Sequence, residues 1–319
     1  MGATKIVCLS ANPALDRRLR MSSLGAGEIN RAKSAEGFAG GKAAHVAMAA
    51  RAMGSNVVWT GFLGGAVGEE CARQLKDLDI QVVSISTASS TRVNLEIIED
   101  SGRVTEILEP GAGPTTGERD EFLRLCAEGT QGSWKGGLLV ISGSLPSGVG
   151  PEFYVSLIEG ARKAGAKVFL DTSGEALRGS LKSEPGLVKP NRTEAETIVN
   201  RPLRTDRDAV SAAREIIGCG AASAAITLGR DGIIWVERKD GSAWLARPPA
   251  MNVISTVGCG DATLAGFALA ASQDMSAEET VRLAGACGAA NSVAFAPGRI
   301  EKVKVLELLP KIEVRKLNF

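Results

Sequence analysis

Short apolar runs alternate with stretches of helical period along most of this chain, and each change of period falls at a glycine, a proline or a polar cluster. Residues 5–10 read as a buried first strand stopped by Pro13. A helix over 43–53, closed by Gly54, a strand over 57–61, a helix over 68–78 and a strand over 82–86 follow. A further helix is predicted over 118–128. Beyond it come a strand at 138–142, a helix at 151–164 opened by Pro151, a strand at 167–171, a short strand at 187–189 and helices at 193–199 and 206–218. Strands at 222–228, 232–237 and 242–246 precede two Ala-rich helices, 260–272 and 277–295, and a last helix begins near 303. This order predicts an α/β fold: a mostly parallel sheet with helices on both faces.

Two regions break the alternation. Residues 18–21 and 28–32 are half-polar strand-like pieces unable to bury both faces, and 91–99 and 103–108 alternate around Asp100-Ser101-Gly102, a hairpin signature. These pieces predict a small accessory sheet, drawn from about 14–38 and 90–110, on a single unit spanning 1–319. No internal repeat or low-complexity linker interrupts the chain.

Composition narrows the function classes. With 37 Lys and Arg against 36 Asp and Glu, the net charge of +1 offers no global field for nucleic acid or an anionic membrane, and aromatics at 4% are sparse for base stacking. No apolar run is long enough for a membrane span, and the first strand is too short for a signal-peptide core, so a soluble, cytoplasmic protein is expected. The six cysteines include no C-x-x-C pair and read as reduced thiols. His45 is the only histidine, which excludes a His-rich metal site; a lone histidine is ordinarily a packed or surface residue.

Polar clusters fall just after several predicted strands: Asn12 with Asp16, Ser142 to Ser144, Asp171, Lys189 to Glu194, Thr227 to Gly229, and Gly258 to Asp261. In a parallel sheet those ends share one edge, where ligands bind. Gly258-Cys259-Gly260-Asp261 opens an Ala-rich helix whose first N–H groups lack intrahelical partners and lie at the positive end of the dipole. The arrangement suits a phosphoryl group held on amides while Asp261 takes a proton; the plainer reading is a glycine turn with an Asp cap. Gly40-Gly41-Lys42 also opens a helix, but is not a P-loop, because Glu36 and Ala43 stand where that motif needs Gly and Ser or Thr. Asn191 and Glu194, three apart at a helix start, suit Mg²⁺ held through phosphates or, equally, a capping pair. Arg92 and Asn94 share one strand face, suited to a phosphate and sugar hydroxyls or simply to solvent.

The segments Asn12-Pro13-Ala14-Leu15-Asp16, Gly40-Gly41-Lys42, Thr91-Arg92, Thr105 to Gly111, Ser142 to Pro146, Lys189-Pro190-Asn191 with Glu194, and Thr256 to Asp261 together resemble the ribokinase-like (PfkB-type) carbohydrate kinases, in the branch acting on phosphorylated ketohexoses. The resemblance spans nearly the whole chain. It implies a three-layer α/β sandwich with a β-sheet lid that also joins a homodimer. It implies ATP as co-substrate, Mg²⁺ and, in some relatives, K⁺. Asp261 would be the base, with Gly258, Cys259 and Gly260 as the anion hole. Asp16, Gly40, Gly41, Asn94 and Ser142 would hold the sugar, and Lys42 and Arg92 its phosphate. Asn191, Thr227, Gly229 and Asn291 would serve the nucleotide, and Glu194 with Asn191 the metal. Two positions depart from the family: His45 replaces an Asn that reads the sugar, and Cys259 replaces an Ala. Rival readings are a kinase of an unphosphorylated sugar or nucleoside, and a non-catalytic sugar-phosphate sensor.

Overall fold

In the computed structural model, residues 4–318 are described. The strands are β1 Ile6–Ser10, β2 Ala14–Met21, β3 Ser34–Gly40, β4 Val57–Leu63, β5 Gln81–Ser86, β6 Arg92–Glu99, β7 Val104–Leu108, β8 Leu138–Ser142, β9 Lys167–Asp171, β10 Leu187–Val188, β11 Ser223–Thr227, β12 Ile233–Glu237, β13 Ala243–Arg247 and β14 Glu313–Leu317. The helices are α1 Lys42–Ala52, α2 Gly65–Asp77, α3 Thr116–Gln131, α4 Glu152–Lys163, α5 Gly174–Ser180, α6 Arg192–Val199, α7 Asp206–Gly218, α8 Cys259–Ser272, α9 Ala277–Asn291 and α10 Lys302–Leu308.

A ten-stranded sheet runs β14-β13-β12-β11-β10-β9-β8-β1-β4-β5. It is parallel from β5 to β11, and β12, β13 and β14 extend it antiparallel. Alternate residues of β1 feed two cores. Ile6 and Cys8 pack under α1, α2, α8, α9 and α10, while Val7 and Leu9 pack under α3, α4 and α7. Three layers result, and the loops leaving the parallel strands emerge along one edge. A separate four-stranded sheet, β3-β2-β6-β7, stands over that edge. Among the described residues no helix is long and apolar enough to cross a membrane.

Several elements differ from the sequence expectation. Residues 28–32 form no strand, because the Asn30 side chain bonds back to Gly25 and Glu28 and closes a loop; β3 lies farther on, at Ser34–Gly40. β2 begins at Ala14, so Asp16, expected just past β1, sits inside the small sheet, paired between Phe38 and Asn94. α9 stops at Asn291, before the expected 295. α5 and β14 were not foreseen: α5 is a single short segment, and β14 is an alternating charged strand that pairs along β13 at the sheet edge.

Candidate functional site

A cavity of about 1630 Å³ lies between the sheet edge and the small sheet. A smaller cleft of about 460 Å³, from Arg51 to Gln81, sits at the opposite ends of β4 and β5 and gathers none of the clusters above. Asp16, Gly41, Lys42, His45, Arg92, Asn94, Asn191, Glu194, Thr227, Gly229 and Gly258 to Asp261 all line the large cavity. Gly40, Ser142 and Asn291 do not, and each has another place. A Cβ on Gly40 would fall 2.2 Å from the Asp16 carboxylate, so this glycine makes room for that side chain. The Ser142 hydroxyl is buried without a partner beneath the cavity, whose wall is formed by its neighbours Gly143 and Ser144. Asn291 holds the 258 loop from behind: its amide donates to Val257 O at 2.7 Å and its oxygen accepts from Gly298 N at 2.8 Å.

Gly258 caps α8 at φ +78, in the left-handed region that glycine tolerates. Among the described residues, the N–H groups of Gly258, Gly260 and Asp261 have no protein acceptor, while Cys259 N–H donates to Thr256 O at 3.2 Å. The candidate anion site is therefore built on the amides of Gly258, Gly260 and Asp261, and Cys259 serves the turn. Burial pushes the Cys259 thiol up to about 11 against the opposing Asn291 contact, which favours the neutral thiol.

Three residues of distant origin meet in a line. His45 Nδ1 lies 2.8 Å from Asp261 Oδ2, and His45 Nε2 lies 2.9 Å from Asp16 Oδ2. Asn94 donates to Asp16 Oδ1 at 2.8 Å. Burial raises the Asp16 carboxyl, but bonds from His45, Asn94 and Gly41 outweigh this and leave it below its ordinary range. Burial likewise disfavours a cationic His45, yet the two carboxylates raise it to about 10. The His45 share of stability is complete below its ordinary value of 6.5 and is lost as the pH rises through about 10. The Asp16 share is complete above 3.8 and is lost as the pH falls below it. In His45→Ala, the fall in urea midpoint between pH 6.5 and 10 should therefore flatten relative to the parent; an unchanged slope would refute a charged bridge.

A second charged group lies beside the first. Asp171 is fully buried between Lys42 Nζ, 3.2 Å from Oδ1, and Lys189 Nζ, 3.2 Å from Oδ2. Burial raises the Asp171 carboxyl, but Lys189 and Lys42 hold it below the ordinary range; Asp171 in turn raises the Lys42 ammonium, with burial opposing. The Lys189 ammonium lies 3.1 Å from where a Cβ of Gly260 would stand, so it reaches the anion site from beneath. Lys189 and Asp171 were visible in the sequence only as polar residues after β9 and β10; their pairing could not be read there. The resemblance assigns Lys42 and Arg92 to the sugar's phosphate, and each has protein partners in the structure. Lys42 is held on Asp171, while Arg92 donates to Glu109 O at 2.6 Å and Asn12 O at 3.1 Å.

On the other side of α8, Asn191 and Glu194 form a reciprocal capping pair: Glu194 N–H donates to Asn191 Oδ1 at 2.9 Å and Asn191 N–H to a Glu194 oxygen at 2.8 Å. The capping reading of this pair is thus realised. Asn191 has spent its side-chain oxygen, whereas the other Glu194 oxygen has no protein donor among the described residues. Gly285, Gly288 and Ala289 of α9 give the cavity a flat wall without side-chain bulk.

The family model described as pfkB family carbohydrate kinase matches residues 3–294. The chain is 32% identical over 314 residues to a 1-phosphofructokinase of Vibrio cholerae, covering 98% of this chain and 97% of that one. Among solved structures it is similar to phosphofructokinase-2 from Escherichia coli in complex with fructose-6-phosphate, with a TM-score of 0.88, 29% identity, and 97% and 99% of the two chains covered. Ribokinase from Arabidopsis thaliana complexed with ribose and ATP shares the fold at TM-score 0.77, with 22% identity and coverage of 97% and 99%.

Proposed function

The chain belongs to the pfkB family of carbohydrate kinases, and from that premise we propose that it transfers the γ-phosphoryl group of ATP to a hydroxymethyl group of a phosphorylated ketohexose: fructose 1-phosphate, fructose 6-phosphate or tagatose 6-phosphate. The observation that carries this reading is the Asp261 carboxylate at the mouth of α8, next to the acceptor-free amides of Gly258 and Gly260 and above Lys189.

In this reading the sugar lies on Asp16 and Asn94, with its hydroxymethyl oxygen against Asp261. The oxygen attacks the γ-phosphorus, its proton passes to Asp261, and ADP leaves with the bridging oxygen. Charge on the transferring group is taken up by the amides of Gly258 and Gly260 and by Lys42 and Lys189, all fixed before the reaction begins. The nucleotide extends past Thr227 and Gly229 to the flat face of α9. Among the described residues no three His, Cys, Asp or Glu side chains form a metal-binding group. The Glu194 oxygen left open by the cap would suit Mg²⁺ held otherwise by phosphate oxygens and water, where the ion would neutralise phosphate charge. The small sheet acts as a lid that excludes water from the site. A homodimer through this sheet belongs to the same reading. It would cover the exposed Ile29 and Ile107, and a monomeric mass by light scattering would remove it.

ADP release measured over a panel of sugars and sugar phosphates tests the whole reading. Turnover confined to one phosphorylated ketohexose is expected, and a preference for an unphosphorylated sugar or nucleoside would replace it. Arg92 then acts on the phosphate already present. Losing a charged hydrogen bond costs about 1.5–3 kcal/mol, so Arg92→Ala should raise KM for the sugar phosphate at least about 10-fold with kcat little changed. An unchanged KM would move the acceptor's phosphate away from Arg92.

A further inference from the structure

His45 is one of two places where this chain leaves the pattern of the family it resembles, and its geometry is more than that of a packed histidine. Its ring is buried, and each nitrogen meets a carboxylate, Asp261 on α8 and Asp16 on β2. An ionised carboxylate only accepts hydrogen bonds, and a neutral imidazole has one N–H to give. Both bonds form at once only when the ring carries both protons. Gly298 packs closely on the backbone at His45, where a Cβ would lie 2.7 Å from His45 Cα.

We propose that His45 is a positioning residue which, as an imidazolium, ties the proton-accepting Asp261 to the sugar-holding Asp16, so that the orientation of the base depends on the state of the sugar site. This rests on the kinase reading above. The bridge occupies Asp261 Oδ2 and leaves Oδ1 for the substrate hydroxyl. On the other side, Asp16 Oδ2 is taken by His45 and, at 3.4 Å, by Gly41 N–H, while Oδ1 is taken by Asn94. A sugar hydroxyl arriving at Asp16 therefore enters a bond network with Asp261 two bonds away. An Asn, as in the family pattern, brings no charge to this bridge. The charged surroundings are consistent with a cation here. Asp16 and Glu106 of the small sheet and Asp261 of α8 favour it, and burial is the opposing influence. Arg92 on β6, Cys71 on α2 and Lys42 on α1 interact with those same acids.

Because His45 is the only histidine, its ring carbon and nitrogen resonances are unambiguous in a protein prepared without a histidine tag. The ring is expected to show imidazolium shifts at pH 7.5 and to titrate with a midpoint above about 9, against about 6.5 for a free side chain. Addition of the sugar phosphate found in the panel should perturb those shifts. A midpoint near the free value overturns the proposal whether or not the protein proves to be a kinase. In His45→Asn and His45→Gln, kcat should fall roughly 10- to 100-fold, the scale of a misplaced reacting group. Asp16 loses its cationic neighbour in both variants, so the acid limb of kcat/KM should move to higher pH. Parental kcat and an unmoved acid limb in both variants would overturn it equally. A failure of every sugar phosphate to turn over would instead remove the kinase reading, and the resonance titration would still decide the state of the bridge.

Discussion

Asp261→Asn is expected to lower kcat by about 10²–10⁴-fold, the typical worth of general-base assistance, while KM for ATP stays nearly unchanged. The substitution is nearly isosteric, and an amide oxygen still accepts from His45, so the loop and the bridge keep their shape. What is lost is the capacity to take the hydroxyl proton. The amides of Gly258 and Gly260 remain free, and the face of α9 proposed for the nucleotide is unaltered, so binding and chemistry should separate cleanly. Steady-state kinetics with nucleotide titration checks both halves. A variant within about 3-fold of the parent would mean that phosphoryl transfer here proceeds without this base.

Much of this arrangement was legible before any coordinates, for a physical reason. A parallel sheet puts the ends of its strands on one edge, so polar clusters after successive strands had to come together. Gly258 to Asp261, Thr227 and Gly229 reach the cavity from that logic, whereas Gly41 and Lys42 arrive from the end of β3 in the small sheet. What sequence could not give is the partner of each charge. The sequence shows Lys42 as a cation but not that Asp171 lies buried between it and Lys189. Arg92 reads as free until its guanidinium is seen donating to two carbonyls. Asp16 was placed just past the first strand and within the accessory-sheet stretch 14–38, and strand pairing with Phe38 and Asn94 shows that β2 presents it. His45 was visible only as an exception to a pattern, because the carboxylates that give it meaning lie 29 and 216 residues away in the chain.

Asn191 and Glu194 show the same limit from the other direction. Their spacing of three was compatible with a metal or a cap, and the cap requires nothing beyond the local chain. It therefore forms in the protein alone, and it fixes one Glu194 oxygen while leaving the other turned to the cavity side of α6 without a donor. Local structure and ligand binding thus use different atoms of one carboxylate. Gly40 and Asn291 are comparable cases: both are part of the site's construction although neither lines the cavity.

Gly258→Ala should produce the second large loss, about 10²–10³-fold in kcat, the cost of withdrawing one preorganised oxyanion donor. Two effects act together. At φ +78 an alanine must bear left-handed strain of roughly 1–2 kcal/mol. Its Cβ would also stand 2.8 Å from Pro297 Cβ and 3.1 Å from Pro297 Cα, and a proline backbone cannot yield as a flexible side chain would. The loop must shift, and with it the amides that define the anion site. Strain alone is isolated by Gly241→Ala in the exposed turn between β12 and β13, where φ is +66 and nothing lies within 4 Å of a new Cβ. Both variants should lose a few degrees of Tm, but only Gly258→Ala should lose turnover. Equal kcat in the two variants would show that the amide loop does not hold the transferring group, and the assignment of the site would have to move from α8.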